Sequence, residues 1–359
     1  MEASKVALVI GQLTAGGAEG QVAVLCRGLR DSGRFAPIVY CLSERTEPYG
    51  PLIEAAGVPL RAIGGGRLAR LRRLRQWLDA DRVDVVHAWL LIANAYAWLA
   101  NRGTDRPLVT SARNCKRQGR ALDWLNRRAF AASDAIVTNS LQVAEYIACE
   151  YGAPRHRIRI IPNGIDTERF HPRDGGAAED AGPIVAAGRL VEQKNHALFL
   201  RAAAGLARLV PEAQFVIAGD GPLRGGLEEQ ARQMGIADRV QFTGERRDID
   251  VLLRAGSILW LTSRWEGMPN IVLEAMASGL PVIATDVGGT RELIRSGVDG
   301  FVVPEGDAGG FVRHSQELLQ PAIRRLFAAA ARARAEEFST ARMVSALSQL
   351  YDDTLGRNH

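Results

Sequence analysis

The chain has 359 residues, of which 47% are hydrophobic and 24% charged, with a formal net charge of +5. That length exceeds an ordinary single domain, and the composition is that of a soluble globular protein; it excludes a fibrous, low-complexity or disordered chain and predicts two domains of similar size. Cys26, Cys41, Cys115 and Cys149 are scattered without a Cys-x-x-Cys pair, so neither a zinc site nor a disulfide framework is expected.

In chain order, the first apolar run, residues 6–10, follows Glu2, where a secretory leader would be basic, and reads as a strand. Strands are expected again at 37–40, 83–86, 108–110, 135–138 and 159–161, separated by helical patterns at 21–30, 68–80 and 93–101. Such alternation predicts a parallel, doubly wound sheet. The loop after the first strand holds Gly16 and Gly17, whose bare backbone can approach a phosphate or a sugar. His87 is expected at the C-terminal end of the 83–86 strand, where such sheets bind ligands. The longest apolar stretch, 88–100, is too short to cross a bilayer and contains Asn94. Two basic helices stand out. Arg67, Arg70, Arg72, Arg73 and Arg75 alternate with Leu68, Leu71, Leu74, Trp77 and Leu78; Lys116, Arg117, Arg120, Arg127 and Arg128 surround Leu122, Trp124 and Leu125. Either cluster fits an anionic bilayer surface or a helix that packs its leucines on the sheet and solvates its arginines. Residues 1–165 carry 23 basic against 14 acidic side chains, and residues 166–359 carry 22 against 26.

A linker rich in Gly, Pro and Asp follows, at 162–164 and 170–183. Strands are then expected at 184–186, 214–217, 239–242, 258–261 and 281–284, a second domain of the same plan. Gly188-Arg-Leu-Val-Glu-Gln-Lys194 leaves the first of these and opens a helix at 195–209, so Arg189 and Lys194 are expected beside a helix N-terminus, a setting for a diphosphate. Later, Glu266 precedes a helix and Glu274 lies inside it, with Gly267, Met268, Pro269 and Asn270 at the turn. Two carboxylates so placed reach opposite ends of an elongated ligand whose diols they accept hydrogen bonds from, while the first amides hold phosphate. Asp79-Ala-Asp81 and Asp248-Ile-Asp250 are the two Asp-x-Asp triplets; one closes a basic helix and Asp248 stands at an expected N-cap, so neither is read as a metal site. The last helix is expected at 340–355.

From Ile160 to Gly306 the chain resembles the retaining glycosyltransferases of family four, which have the GT-B fold. The resemblance is carried by Ile161-Pro-Asn-Gly-Ile-Asp166 with Phe170 and Pro172, by Ala187 to Lys194, by Ala218-Gly-Asp-Gly-Pro222, by Phe242-Thr-Gly244 and by Arg264 to Gly279; Gly16-Gly-Ala-Glu19 extends it to the first half. It implies an α/β protein of two Rossmann-like domains facing across a cleft. Residues 1–165 would bind acceptor, 166–339 the nucleotide sugar, and 340–359 would form a helix crossing back to the first domain. It further implies that Glu266 contacts the donor sugar, Glu274 the ribose, and Arg189 and Lys194 the diphosphate, with Gly188, Gly244 and the backbone of Gly267–Asn270 completing the donor site. Gly16 and Gly17 would face the diphosphate. The reaction expected is transfer of a hexosyl or N-acetylhexosaminyl group to a glycan or lipid-linked acceptor, with retention, without metal or cofactor and without nucleic acid. A cytoplasmic protein, peripheral on the inner membrane face, is expected. The chain departs from the family where many members carry a histidine near the reacting sugar; here Arg113 stands, which implies an anionic acceptor or a donor oxygen as its contact. A nucleotide-sugar epimerase or hydrolase on the same fold, or a non-catalytic partner subunit, are the alternatives.

Overall fold

A computed structural model describes residues 3–173 and 182–356. They form two compact units, Met1–Gly164 with Thr340–His359, and Ile165–Ser339.

The first unit runs β1 (Ser4–Ile10), α1 (Gly17–Ser32), β2 (Phe35–Cys41), α2 (Tyr49–Ala55), β3 (Leu60–Ala62), α3 (Arg67–Ala80), β4 (Val85–Trp89), α4 (Leu90–Asn101), β5 (Leu108–Ala112), α5 (Arg120–Ala132), β6 (Ala135–Thr138), α6 (Leu141–Tyr151) and β7 (Ile158–Ile160). The strands are parallel in the order β3-β2-β1-β4-β5-β6-β7. Central strands of such a sheet are covered on both faces, which is why Val6 to Ile10 are all fully buried. Local signals set the helix ends. The Ser140 hydroxyl accepts from the Val143 amide at the start of α6, and Gly152, at φ 65°, ends it.

The strand expected at 83–86 is displaced. The Val83 amide closes the end of α3 on Leu78 O, and β4 begins only at Val85, opposite Val6. Its last residue is therefore Trp89, and His87 sits in the middle of the strand rather than at its end.

The second unit runs β8 (Ile184–Ala187), α7 (His196–Leu209), β9 (Phe215–Ala218), α8 (Arg224–Gln233), β10 (Val240–Gly244), α9 (Ile249–Ala255), β11 (Ile258–Leu261), α10 (Asn270–Ala277), β12 (Val282–Thr285), α11 (Thr290–Leu293), β13 (Gly300–Val303), α12 (Ala308–Leu318) and α13 (Pro321–Glu336). Its parallel sheet has the order β10-β9-β8-β11-β12-β13, so the winding reverses between β8 and β11. Trp260 on β11 anchors one face, packed edge-on between Phe199 and Phe311, with its indole N–H on Ser315 Oγ.

The closing helix α14 (Thr340–Thr354) belongs to the first unit. Met343, Val344, Leu347, Leu350 and Tyr351 enter the same core as Val6, Leu8 and Leu25. Val344 lies so close to Gly28 of α1 that a Cβ there would overlap it.

Candidate functional site

At the reversal point of the second sheet, the chain leaving β8 is held by its neighbours before it turns. Gly188 N donates to Ala218 O and Leu190 N to Asp220 O, both at 2.9 Å. Gly219, at φ 144°, lies against Gly188 O so closely that no side chain fits between the two loops. The expected direct entry into a helix is not what forms. A 3-10 turn, Glu192–Lys194, intervenes, Asn195 takes a left-handed φ of 47° without a side-chain cap, and α7 starts at His196. His196 is buried, and burial together with the Lys194 charge holds its imidazole down to about 4, hence neutral.

The loop after β11 is stitched to this one. Thr262 Oγ1 donates to Lys194 O at 3.0 Å, Arg264 N to Gln193 O at 2.8 Å, and Gln193 Nε2 to Trp265 O at 3.0 Å. These bonds bring Lys194 Nζ to 2.6 Å from Glu266 Oε1, which also accepts from Ser263 Oγ at 2.7 Å. The pair is well enclosed, the side chains being 19% and 8% exposed. Thr285 Oγ1 fixes Ser263 through its carbonyl at 2.6 Å. Behind the turn, Gly288 at φ 58° packs on the Glu266 and Gly267 carbonyls, and Gly289 N donates to Gly267 O at 2.6 Å. Met268 is buried, Pro269 occupies the N-cap of α10, and Asn270 is its first residue.

Glu274 lies one turn into α10. Burial pushes its carboxyl up to about 7, with Arg169 and Lys194 drawing it back. Lys194, Glu266 and Glu274 thus form one electrostatic cluster at the switch point. Arg189 is exposed and, among the described residues, has no ion-pair partner. Gly244 ends β10, and its carbonyl accepts from Gly219 N at 2.8 Å. Gly219, Gly288, Ser263 and Thr285 escape a sequence reading: the glycine-rich Ala218 to Pro222 is visible, but which carbonyl each glycine touches is not.

In the first unit, Gly16 is the N-cap of α1 in extended backbone, and its carbonyl accepts from Gly20 N at 3.1 Å. The Glu19 carboxylate lies directly against the Gly16 α-carbon. The Glu19 side chain thus fills the space beside Gly16 where a side chain of that residue would stand. His87 is fully buried, its Nδ1 2.7 Å from the Tyr351 hydroxyl and its ring against Trp89. Burial, then the nearby Arg113 charge, keeps this imidazole well below its usual range. It anchors α14 instead of standing in an open site. Arg113, directly after β5, lies with its guanidinium 3.8 Å above the Trp89 ring and its Nη1 2.6 Å from Asn163 Oδ1.

The two basic helices differ. In α3, Leu74 and Leu78 are core residues and Leu71 and Trp77 pack on the same cluster, leaving Leu68 70% exposed beside the arginines. In α5, Trp124 is 53% exposed with the Arg128 guanidinium 5.4 Å from its ring. Asp81 is engaged by Tyr40 and Arg61. Asp248 holds the N-cap position of α9, yet its carboxylate pairs with Arg246 instead of capping, because that guanidinium is two residues away. Among the described residues no three His, Cys, Asp or Glu side chains converge, and no helix is long and apolar enough to cross a membrane.

Comparison with known proteins agrees with this architecture. The sequence model for Glycosyltransferase Family 4 matches residues 15–169 and that for Glycosyl transferases group 1 matches residues 182–321. D-inositol 3-phosphate glycosyltransferase of Geodermatophilus obscurus is 30% identical over 305 residues, 76% of this chain and 67% of that protein. UDP-Gal:alpha-D-GlcNAc-diphosphoundecaprenol alpha-1,3-galactosyltransferase of Escherichia coli is 29% identical over 259 residues, 67% of each. The crystal structure of Anabaena HepE in complex with UDP and glucose has the same fold, with a TM-score of 0.86 at 20% identity, covering 98% of this chain and 100% of that one. With two Rossmann-like units of the GT-B type, the chain belongs to glycosyltransferase family 4 and is a nucleotide-sugar glycosyltransferase.

Proposed function

We propose that this enzyme transfers a hexosyl or N-acetylhexosaminyl group from a uridine diphosphate sugar to a lipid-linked glycan at a membrane surface, with retention at the anomeric carbon. The observation that carries the donor assignment is the convergence of Lys194, Glu266 and Glu274 at the β8/β11 switch point. In this reading Glu266 accepts from sugar hydroxyls, Glu274 accepts from the ribose diol, and Lys194 bridges Glu266 and the diphosphate. Arg189 and the backbone amides of Gly267, Met268 and Asn270, in the turn that opens α10, meet the remaining phosphate oxygens. Gly188 and Gly244 allow the backbone to close on the ligand. As the bond from the anomeric carbon to the diphosphate oxygen breaks, these cations neutralise the growing charge, so no divalent ion is required. The acceptor hydroxyl adds on the same face and gives its proton to the departing phosphate oxygen. Galactosyl transfer to a diphosphoundecaprenol-linked sugar by the E. coli relative supports a uridine donor and a lipid-linked acceptor. The excess of basic residues in the first unit, with Trp124 and Leu68 exposed among arginines, supports attachment to the anionic inner face of the cell membrane.

The test is incorporation of labelled sugar from UDP-galactose, UDP-glucose and UDP-N-acetylglucosamine into a polyprenyl-diphosphate sugar embedded in vesicles, with and without chelator. Chelator-resistant label in the lipid fraction, with the donor's anomeric configuration in the product, is expected. Label recovered only as free sugar or as an epimer contradicts transfer, and restoration by manganese contradicts the charge assignment.

A further inference from the structure

The C-terminal ends of β4, β5 and β6 lie side by side in the first sheet, and they carry a group of buried polar atoms whose hydrogen-bonding capacity is unfilled. Arg113 is 7% exposed. Its Nη1 is used by Asn163, but Nε and Nη2, the two donors that share one edge of the guanidinium, are buried without an acceptor. Trp89 Nε1, beneath the same guanidinium, is a third buried donor without a partner, and His87 Nε2, farther back along β4, is a fourth polar atom in that condition. Thr138 Oγ1 and Asn139 Oδ1, at the end of the adjacent strand β6, add two more. Among the described residues Arg113 has no ion pair, and the titratable groups around it are His87 and Tyr351. Burial draws the guanidinium down to about 9, so it remains a cation at neutral pH.

Buried donors without acceptors cost free energy, and a buried cation without an anion costs more. Groups left in that state in a folded protein point to a missing partner. Here the missing partner has a defined chemistry. A fork of two parallel N–H donors matches two oxygens of one oxyanion, and a Trp N–H beside it adds a third donor. The location, at strand C-termini next to the reversal between β1 and β4, is where doubly wound sheets receive ligands. Leu90, immediately after Trp89, holds a φ of 73°, a conformation a bulky residue adopts only where its surroundings impose it.

We infer that the first unit binds an anionic group of a substrate, a phosphate or a carboxylate, on the Nε/Nη2 edge of Arg113, with Trp89 Nε1 as the neighbouring donor. This deepens the transfer reading, because it rests on the first unit receiving a substrate, and it specifies that the substrate there is charged. Two sources fit the chemistry: a phosphate or diphosphate linkage, or the carboxylate of an acidic sugar.

The test follows the thermal midpoint of the full chain against sodium phosphate and, separately, sodium glucuronate, with ionic strength held constant by chloride. Phosphate also reaches the donor loop of the second unit, so the background is the double variant Lys194→Met/Glu266→Gln, and Arg113→Gln or Arg113→Lys is added to it. A bound anion raises the midpoint by mass action. The expected result is a midpoint rise in the background, a half-saturating concentration on the order of tenfold higher with Arg113→Gln, and a severalfold increase with Arg113→Lys, which keeps the charge but loses the fork. Without anion, Arg113→Gln is expected to melt no lower than its parent, since it removes an unpaired buried cation. A response to phosphate above glucuronate assigns a phosphorylated substrate, and the reverse assigns an acidic sugar. An anion response unchanged by either substitution overturns the inference, as does a lower melting point for Arg113→Gln with no anion response in the background. If Arg113→Gln does not fold, the Arg113→Lys comparison alone decides. A UDP response in the unsubstituted protein that persists in Arg113→Gln separates failure here from failure of the donor assignment.

Discussion

Lys194 and Glu266 each lower the cost of enclosing the other. Removing one partner leaves a poorly solvated charge, whereas removing both does not, so the two substitutions are expected to be strongly non-additive. Urea unfolding is predicted to give a larger loss for Lys194→Met than for Lys194→Met/Glu266→Gln, with a coupling of about 1–3 kcal/mol. A coupling near zero would mean that the pair does not hold in solution. Glu274 makes a second prediction. Its folded carboxyl titrates near 7 against 4.5 when unfolded, so the folded state holds the extra proton between those values. Stability from this group is therefore undiminished below about pH 4.5, falls as pH rises toward 7, and stays reduced above it. Glu274→Gln is predicted to raise the melting point by a few degrees at pH 8 and hardly at pH 5; an equal change at both pH values would contradict it. The sequence places Lys194 and Glu266 at strand-to-helix turns and Glu274 in the helix that follows, and the structure brings Lys194 and Glu266 into contact there. The sequence does not disclose that Lys194 and Glu266 pair, since that depends on Ser263, Thr262 and Thr285 fixing two loops 72 residues apart. His87 is misread as a strand-end residue for a similar reason: the two-residue displacement of β4 is set by Val83 closing α3, a contact that an apolar run cannot reveal.

Among the elements, glycines at the ends of neighbouring strands decide how closely the loops after β8 and β9 can meet. Gly219 lies against Gly188 O at φ 144°, so Gly219→Ala is predicted to cost about 1–3 kcal/mol and to weaken nucleotide binding, because the β8 loop must move. Gly225, inside α8 with open space where a side chain would go, is the control: Gly225→Ala is predicted to be neutral or to stabilise by about 0.5–1 kcal/mol. Similar losses for both would show that the close approach is not what makes Gly219 sensitive. The apolar runs of β1 and of the four-residue strands β6, β9 and β11 are legible in the sequence, as are the amphipathic helices α7 and α14 from their periodicity. The three-residue β3 and the short helices α2 and α11 are not, because each is too brief to impose a period and is held by its neighbours' backbone. The 3-10 turn before α7 is likewise dictated by the stitching of two loops, not by local propensity.

Over the whole molecule, charge is divided: 23 basic against 14 acidic side chains in residues 1–165, and 22 against 26 beyond them. The leucines of α3 are largely consumed by the core, so the proposed membrane attachment would rest there on its arginines and Leu68, with Trp124 on α5 as a second contact. Each Lys or Arg near an anionic surface contributes about 1 kcal/mol. Replacing Arg72, Arg73 and Arg75 by Gln is therefore predicted to release the protein from acidic vesicles in flotation at low salt without changing nucleotide binding. A wild-type protein that fails to float would point to a soluble acceptor. In the proposed function the second unit holds the donor diphosphate at the β8/β11 switch point through Lys194. Calorimetric titration of UDP and of uridine into the wild type and into Lys194→Met/Glu266→Gln tests it most directly. UDP binding is expected to weaken on the order of tenfold while uridine binding changes less than about twofold, because only the diphosphate uses the cation. Equal weakening of both ligands, or of neither, would contradict it.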